Sequence, residues 1–328
     1  MAEKPVVLVT ERIAEVGLQL LDGSCQVCAP WRQGLSPTKE ELAAADALIV
    51  RLFKITEAVL AATPKLKVIG RHGAGLDSVD LKAATKRGIP VVFTPSAPTM
   101  ANAVAEHTIQ MMLALARHAV AADQLVREGR FAERNTLQGA ELYGKTLGVV
   151  GLGAIGKRVA EICQKGFRMQ VVGYDPYLDL HPARTAFTRV ESLRKLLEQS
   201  DVVTLHLPST PETFHLINAE TLGYMKGSAM LINTARGSVV DTVALAEALD
   251  RGHLLGAALD VFEKEPPPRD HPLMSAPRTV FSPHIGSSTV ASMDRIAELV
   301  ARQVVQVLNG ERPPFVANPI VFEHAPVF

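Results

Sequence analysis

Apolar runs of three or four residues alternate along the chain with stretches whose apolar positions recur at three- and four-residue spacing. Residues 6–9 and 48–50 are aliphatic runs and 67–69 is Lys67-Val68-Ile69, and they precede amphipathic stretches at 17–21, 56–62 and 80–86. Each pair predicts a β-α unit. Ser36-Pro37 and Thr56 are expected caps for the helices they precede, and Arg87-Gly88-Ile89-Pro90 is expected to end a helix before a strand at 91–93. The first 95 or so residues therefore predict an open α/β domain with a mostly parallel sheet.

Apolar residues at Val104, Ile109, Met111, Met112 and Leu115 predict one long helix, a bridge, followed by a polar and poorly periodic arm over 123–143. A second β-α series starts at 147–150 and continues through 171–172, 202–205, 230–232, 257–259 and 280–281. Those runs predict a six-strand doubly wound sheet. Met293, Ile296, Val300, Val304 and Val307 then predict a closing helix that Asn309-Gly310 stops. That helix is expected to return to the first domain, so that the chain crosses twice between domains.

Composition narrows the classes. The chain has 328 residues, 47% hydrophobic and 21% charged, which fits two globular domains and excludes a disordered or collagen-like protein. Its 34 Lys and Arg balance 34 Asp and Glu, so net charge gives no reason to expect nucleic acid as a partner. No run is long enough for a bilayer, and the start of the chain has no signal-peptide pattern. Three cysteines form no disulfide framework, and the expected compartment is the cytoplasm.

The sharpest local signal is Gly151-Leu152-Gly153-Ala154-Ile155-Gly156, placed after a predicted strand and before a predicted helix. Glycines there allow a tight turn and close approach of a pyrophosphate, and the helix start offers free N–H groups. Asp175 ends the next strand, 19 residues past Gly156, where a carboxylate meets an adenosine ribose. Three further strands run into Thr234-Ala235-Arg236-Gly237, into Glu263-Lys264-Glu265-Pro266 and into Ser282-Pro283-His284-Ile285-Gly286. On one rim, an Arg, a Glu and a His are the parts needed to grip a carboxylate, orient an imidazole and move a proton.

Together, Gly151 to Gly156, Asn233-Thr234-Ala235-Arg236-Gly237, Asp260-Val261-Phe262-Glu263-Lys264-Glu265-Pro266 and Pro283-His284-Ile285-Gly286 resemble the D-isomer-specific 2-hydroxyacid dehydrogenases. Residues 48–51 and 70–77 look most like the D-3-phosphoglycerate dehydrogenase branch of that family. Ser78, Leu52, Phe53 and the segment 94–99 depart from its common pattern, and all fall near the expected substrate. The resemblance implies an NAD-linked homodimer acting on a small 2-hydroxy or 2-keto acid of phosphoglycerate, hydroxypyruvate or glyoxylate type. It implies His284 as acid/base, Glu265 as its partner and Arg236 as the carboxylate ligand. Gly151, Gly153, Ala154, Ile155, Gly156, Asp175, Leu207, Thr234, Ala235, Arg236, Asp260, His284 and Gly286 would line the cofactor. Arg51, His72, Gly73, Ala74 and Gly75 would join Arg236 and His284 at the substrate.

The implied architecture is α/β with two domains: a Rossmann doubly wound NAD-binding domain, 101–289, inserted into a flavodoxin-like open α/β substrate domain, 1–100 plus 290–328. The same trio also occurs in the C-terminal-binding co-repressors, so an NAD(H)-sensing interaction protein on this fold is the rival reading. Other motifs read as structural. Cys25-Gln26-Val27-Cys28 has redox spacing but lies on a strand, away from any helix start that would activate a thiol. His206 and His215 lack acidic or sulfur companions in sequence, and no metal is expected. Arg184, Arg189, Arg194 and Lys195 are interleaved with acids and read as a solvated face.

Overall fold

The structure, a computed structural model, describes residues 3–178 and 187–323; Arg184 lies outside the described residues. The chain forms two compact units, Met1–Met100 with Ser288–Phe328, and Ala101–Ser287. In the first unit, strands β1 (Val6–Val9), β2 (Gln26–Cys28), β3 (Ala47–Val50), β4 (Val68–Arg71) and β5 (Val91–Phe93) pair in the order β2-β1-β3-β4-β5, all parallel. This is the flavodoxin-like order. Apolar residues cover both faces of the sheet, as a parallel sheet requires.

One face takes the closing helix Val290–Leu308, which buries Ile296, Ala297, Val300, Ala301 and Val304. The helix lies so close to β4 that a Cβ on Gly70 would sit 2.7 Å from Val304 Cγ2 and 2.9 Å from Val300 Cγ2. Helix starts follow ordinary capping chemistry. Thr56 caps Glu57–Ala61 as expected, but the cap of Lys39–Ala44 is Thr38 rather than Ser36, because Glu41 stands three residues beyond Thr38 and completes a reciprocal capping box.

In the second unit, strands β6 (Thr146–Val150), β7 (Gln170–Tyr174), β8 (Thr188–Arg189), β9 (Val202–Leu205), β10 (Met230–Asn233), β11 (Gly256–Leu259) and β12 (Thr279–Phe281) form a parallel sheet in the order β12-β11-β10-β9-β6-β7-β8. The direction of winding reverses between β6 and β9, the doubly wound arrangement. The sheet has seven strands rather than the expected six, since β8 is a two-residue exposed edge strand with no apolar run to announce it. The helix Ala101–Ala116 packs its buried side chains on one face of this sheet.

Beyond that helix the expected irregular arm is partly regular. Ala119–Arg127 is helical although Leu125 is its one buried residue, and an Asp123–Arg127 ion pair of 2.7 Å joins successive turns. Phe131–Thr136 is a 3-10 helix. Among the described residues no helix is long and apolar enough to cross a membrane.

Candidate active site

The turn after β6 is built as its sequence requires. Gly151 has φ 92°, and a Cβ there would meet the His206 carbonyl oxygen at 2.4 Å. A Cβ on Gly156 would lie 2.0 Å from the Gly151 oxygen, so glycine lets the helix Ala154–Phe167 start directly against the turn. Gly153 differs: a Cβ there meets no atom within 4 Å. Gly153 caps that helix with no side-chain hydrogen bond, which leaves backbone donors at a helix start facing open space. The donor set and the open cradle fit a dinucleotide pyrophosphate, with Ala154 and Ile155 in the first turn.

Asp175 follows β7 and turns back on the glycine turn, accepting from Leu152 N at 2.9 Å and Tyr177 N at 3.0 Å. Both carboxylate oxygens keep further acceptor capacity for ribose hydroxyls. Leu207 follows β9, and its Cδ2 would lie 2.8 Å from a Cβ on Gly151.

Beyond β10, the fully buried Asn233 shapes the turn from inside, accepting from Ala235 N at 3.0 Å and donating to the Arg236 carbonyl at 2.9 Å. The Thr234 hydroxyl is 2.8 Å from that of Thr108. Half-buried Arg236 donates from Nη1 to the Ala235 carbonyl at 2.7 Å. Gly237 is obligatory, because a Cβ would overlap the Phe262 carbonyl carbon at 1.9 Å.

Strand β11 stops at Leu259, so Asp260, Val261 and Phe262 lie in the turn beyond it. Asp260 is 1% exposed. Its carboxylate accepts from Ser282 Oγ at 2.5 Å, Ile285 N at 2.9 Å and Gly286 N at 2.8 Å, with His107 Nε2 3.2 Å away. Burial pushes this carboxyl up, but the hydrogen bonds from His107, Ser282, Ile285 and Gly286 outweigh it and hold the group below the usual carboxylate range.

After β12, His284 has a left-handed backbone, φ 53°, and Nδ1 lies 2.8 Å from Glu265 Oε2. Glu265 Oε1 accepts from Phe262 N at 3.1 Å. Burial pushes Glu265 up, yet its bonds to His284 and Phe262 N hold it below the usual range, so it is a carboxylate at neutral pH. A hydrogen bond at Nδ1 leaves Nε2 as the imidazole nitrogen for chemistry.

His215, read from sequence as lacking an acidic companion, has one: its Nε2 is 3.2 Å from Glu263 Oε1, brought there by folding from 48 residues away. His206 is partly buried, and the desolvation of its ring pushes the imidazole down to about 3. The thiols of Cys28 and Cys163 are pushed up by burial to about 11 and about 12, which leaves them unreactive.

The remaining expected substrate residues belong to the first unit, where β3 and β4 are neighbours. Arg51 follows β3 and His72 follows β4, with His72 N donating to the Val50 carbonyl at 2.9 Å. His72 is buried, and burial, reinforced by the Arg51 and Arg71 charges, pushes it down to about 3, so it is a neutral imidazole. Gly73 takes φ 136°, and its carbonyl accepts from Thr94 N at 3.2 Å; Ala74 and Gly75 continue the loop, partly exposed. One residue that supports the turn after β3 was not anticipated from sequence. Glu11 accepts from three successive N–H groups, Arg51 at 2.7 Å, Leu52 at 2.5 Å and Phe53 at 2.9 Å.

Residues 109–286 match the family model described as D-isomer specific 2-hydroxyacid dehydrogenase, NAD binding domain. The chain is 44% identical to a glyoxylate reductase of Thermofilum pendens over 99% of its own length and 97% of that protein. It is 42% identical to a D-3-phosphoglycerate dehydrogenase of Methanocaldococcus jannaschii, over 95% of its own length and 59% of that longer protein. A crystal structure of a protein from Thermus thermophilus superposes with a TM-score of 0.86 at 39% identity, covering 95% of this chain and 99% of that one.

Proposed function

The chain belongs to the D-isomer specific 2-hydroxyacid dehydrogenases, and from that premise we propose that it moves a hydride between NAD and C2 of a small D-2-hydroxy acid or the matching 2-keto acid, of glyoxylate, hydroxypyruvate or phosphoglycerate type. The observation that carries the reading is the His284–Glu265 pair, 2.8 Å apart, on the same carboxyl-end rim of the sheet as the Gly151–Gly156 turn.

Nicotinamide, when bound, supplies the hydride chemistry. In oxidation His284 Nε2 takes the substrate hydroxyl proton, and in reduction it donates one to the carbonyl oxygen. Glu265 fixes the tautomer and stabilises the imidazolium. Arg236 pairs with the substrate carboxylate, a planar fork on a planar acceptor. The Gly151–Gly156 turn with Ala154 and Ile155 takes the pyrophosphate. Asp175 takes the ribose hydroxyls, and its charge favours NAD over NADP. Leu207, Thr234, Ala235, Asp260 and Gly286 complete the cofactor lining, and Arg51 and His72 to Gly75 are the first unit's substrate residues.

Assembly as a homodimer belongs to the same proposal, supported by exposed apolar residues Val120, Val126, Phe131 and Tyr143 following the helix Ala101–Ala116. The three free cysteines support a reducing cytoplasm. The test is NADH consumption with glyoxylate, hydroxypyruvate, 3-phosphohydroxypyruvate, phenylpyruvate and 2-ketobutyrate. At least one is expected to be turned over. NADH binding without turnover of any member would replace this reading with a nucleotide-sensing protein.

A further inference from the structure

Three consecutive backbone N–H groups converge on a single residue. His284 N donates to the Asp260 carbonyl at 2.7 Å, Ile285 N to Oδ1 at 2.9 Å and Gly286 N to Oδ2 at 2.8 Å. The first of these residues is left-handed without being glycine, a conformation that costs about 1–2 kcal/mol and persists where its surroundings impose it. Asp260 is what imposes it, provided that it remains a carboxylate: a protonated carboxyl has less acceptor capacity for the two loop N–H groups.

A carboxylate this buried needs donors besides the loop it holds. Two side chains supply them. Ser282 Oγ is 2.5 Å from Oδ1, and His107 Nε2 is 3.2 Å from Oδ1 and 2.9 Å from Ser282 Oγ. His107 stands on the helix Ala101–Ala116, one turn from buried Ala103 and one turn from buried Met111, so its imidazole arrives on a packed, rigid element. The titratable groups around Asp260 are His107 from that helix, and His284 and Glu265 from the turns beyond β12 and β11.

We infer that His107 is a positioning residue for the reaction: by donating from Nε2 to the Asp260–Ser282 pair, it keeps Asp260 a carboxylate and so holds the left-handed turn that presents His284 to Glu265. The role of His284 rests on the function proposed above, whereas the coupling of His107 to Asp260 and the turn does not. Hydrogen bonds outweighing burial at Asp260 agree with this division of labour.

The experiment compares the full-length parent with His107→Leu, His107→Gln and Ser282→Ala. It reads kcat/KM for 2-keto acid reduction from about pH 7 to about pH 3.5 and, without substrate, the thermal unfolding midpoint over the same range. In His107→Leu the acid-side loss of activity sets in about one pH unit higher than in the parent, equivalent to a tenfold change in proton affinity. His107→Gln, with a neutral amide donor in nearly the same place, restores the parent's limb, and Ser282→Ala moves it in the same direction as Leu.

A residue that merely packs would lower the unfolding midpoint equally at every pH and leave the limb in place. An unmoved limb in His107→Leu, or a Gln variant displaced as far as Leu, overturns the inference. Should the Leu variant fail to fold, an unmoved limb in Ser282→Ala overturns it. If the parent reduces no 2-keto acid, the functional reading fails alone. The unfolding data then decide: the deficit of His107→Leu must narrow as pH falls through the range in which Asp260 takes up its proton, and a constant deficit overturns the inference.

Discussion

Glu265 Oε2 lies 2.8 Å from His284 Nδ1 and, through its other oxygen, is tied 3.1 Å from Phe262 N, so the imidazole is oriented by a group that is itself oriented. Because Glu265 is held below the usual carboxylate range, it is ionised across the neutral interval and stabilises the imidazolium there. Reduction consumes that proton and declines as pH rises, while oxidation needs the neutral ring and increases. Glu265→Gln keeps the shape and removes the charge, so both profiles are expected to break at lower pH, with reduction at neutral pH slowed by about tenfold or more. Forward and reverse kcat/KM profiles of parent and variant check this; limbs that do not move contradict the role of Glu265.

Much of this arrangement is legible in the sequence, for identifiable reasons. Parallel strands buried on both faces leave continuous apolar runs, and the glycines at 151 and 156 are dictated by local backbone approach, so β-α alternation and turn both show. What is hidden depends on distant partners. Glu11 meets its loop across 40 residues, and His107 meets Ser282 across 175. A polar side chain four residues from buried Ala103 and from buried Met111 on one helix is the one sequence signal that could have marked His107. Strand β8, with both residues exposed, leaves none.

Arg236 is expected to matter for substrate far more than for cofactor. A guanidinium grips a carboxylate through two parallel hydrogen bonds, which an ammonium cannot reproduce. Arg236→Lys should lower kcat/KM for the best 2-keto acid by about tenfold or more, with NADH affinity changed less than about twofold. Efficiency within about threefold of the parent would remove Arg236 as the carboxylate ligand.

The cofactor preference should follow the charge at Asp175. A carboxylate about 4 Å from a 2′-phosphate charge costs about 4 kcal/mol at an effective dielectric near 20, before salt reduces it. Asp175 also holds Leu152 N and Tyr177 N, so Asn, which keeps one acceptor oxygen, is the informative replacement. The parent should use NADH at least about a hundredfold better than NADPH, and Asp175→Asn should narrow that ratio by about tenfold. Equal efficiencies in the parent would sink the assignment.

The glycines of one turn should separate folding from binding. Gly156→Ala places a Cβ 2.0 Å from the Gly151 oxygen, an overlap expected to cost about 1–3 kcal/mol of stability. Gly153→Ala meets nothing within 4 Å and should unfold at the parent's temperature. On the proposed cofactor site its methyl group would instead stand where the pyrophosphate approaches, so NADH affinity should fall by about tenfold or more. Melting curves paired with NADH fluorescence titrations test both halves; a Gly153→Ala protein that binds NADH like the parent would place the pyrophosphate elsewhere.

Acid sensitivity should trace in part to His206, which is partly buried, with Nδ1 shut off from solvent and Nε2 2.9 Å from Thr204 Oγ1. Burial holds this imidazole down to about 3 in the folded protein, against an ordinary value near 6.5 in the unfolded chain. Between those values the unfolded chain binds the proton and the folded one does not, so the stability is fully present above about pH 6.5 and is lost as pH falls toward 3. The slope is about 1.4 kcal/mol per pH unit for one such group, or about 2 kcal/mol between pH 6.5 and pH 5. His206→Gln, which cannot titrate, costs stability at neutral pH but lacks this slope. Denaturant unfolding at about pH 7 and about pH 5 should show the gap between parent and variant closing by about 2 kcal/mol on acidification. A gap of equal size at both pH values would show that the folded protein accommodates the charged ring.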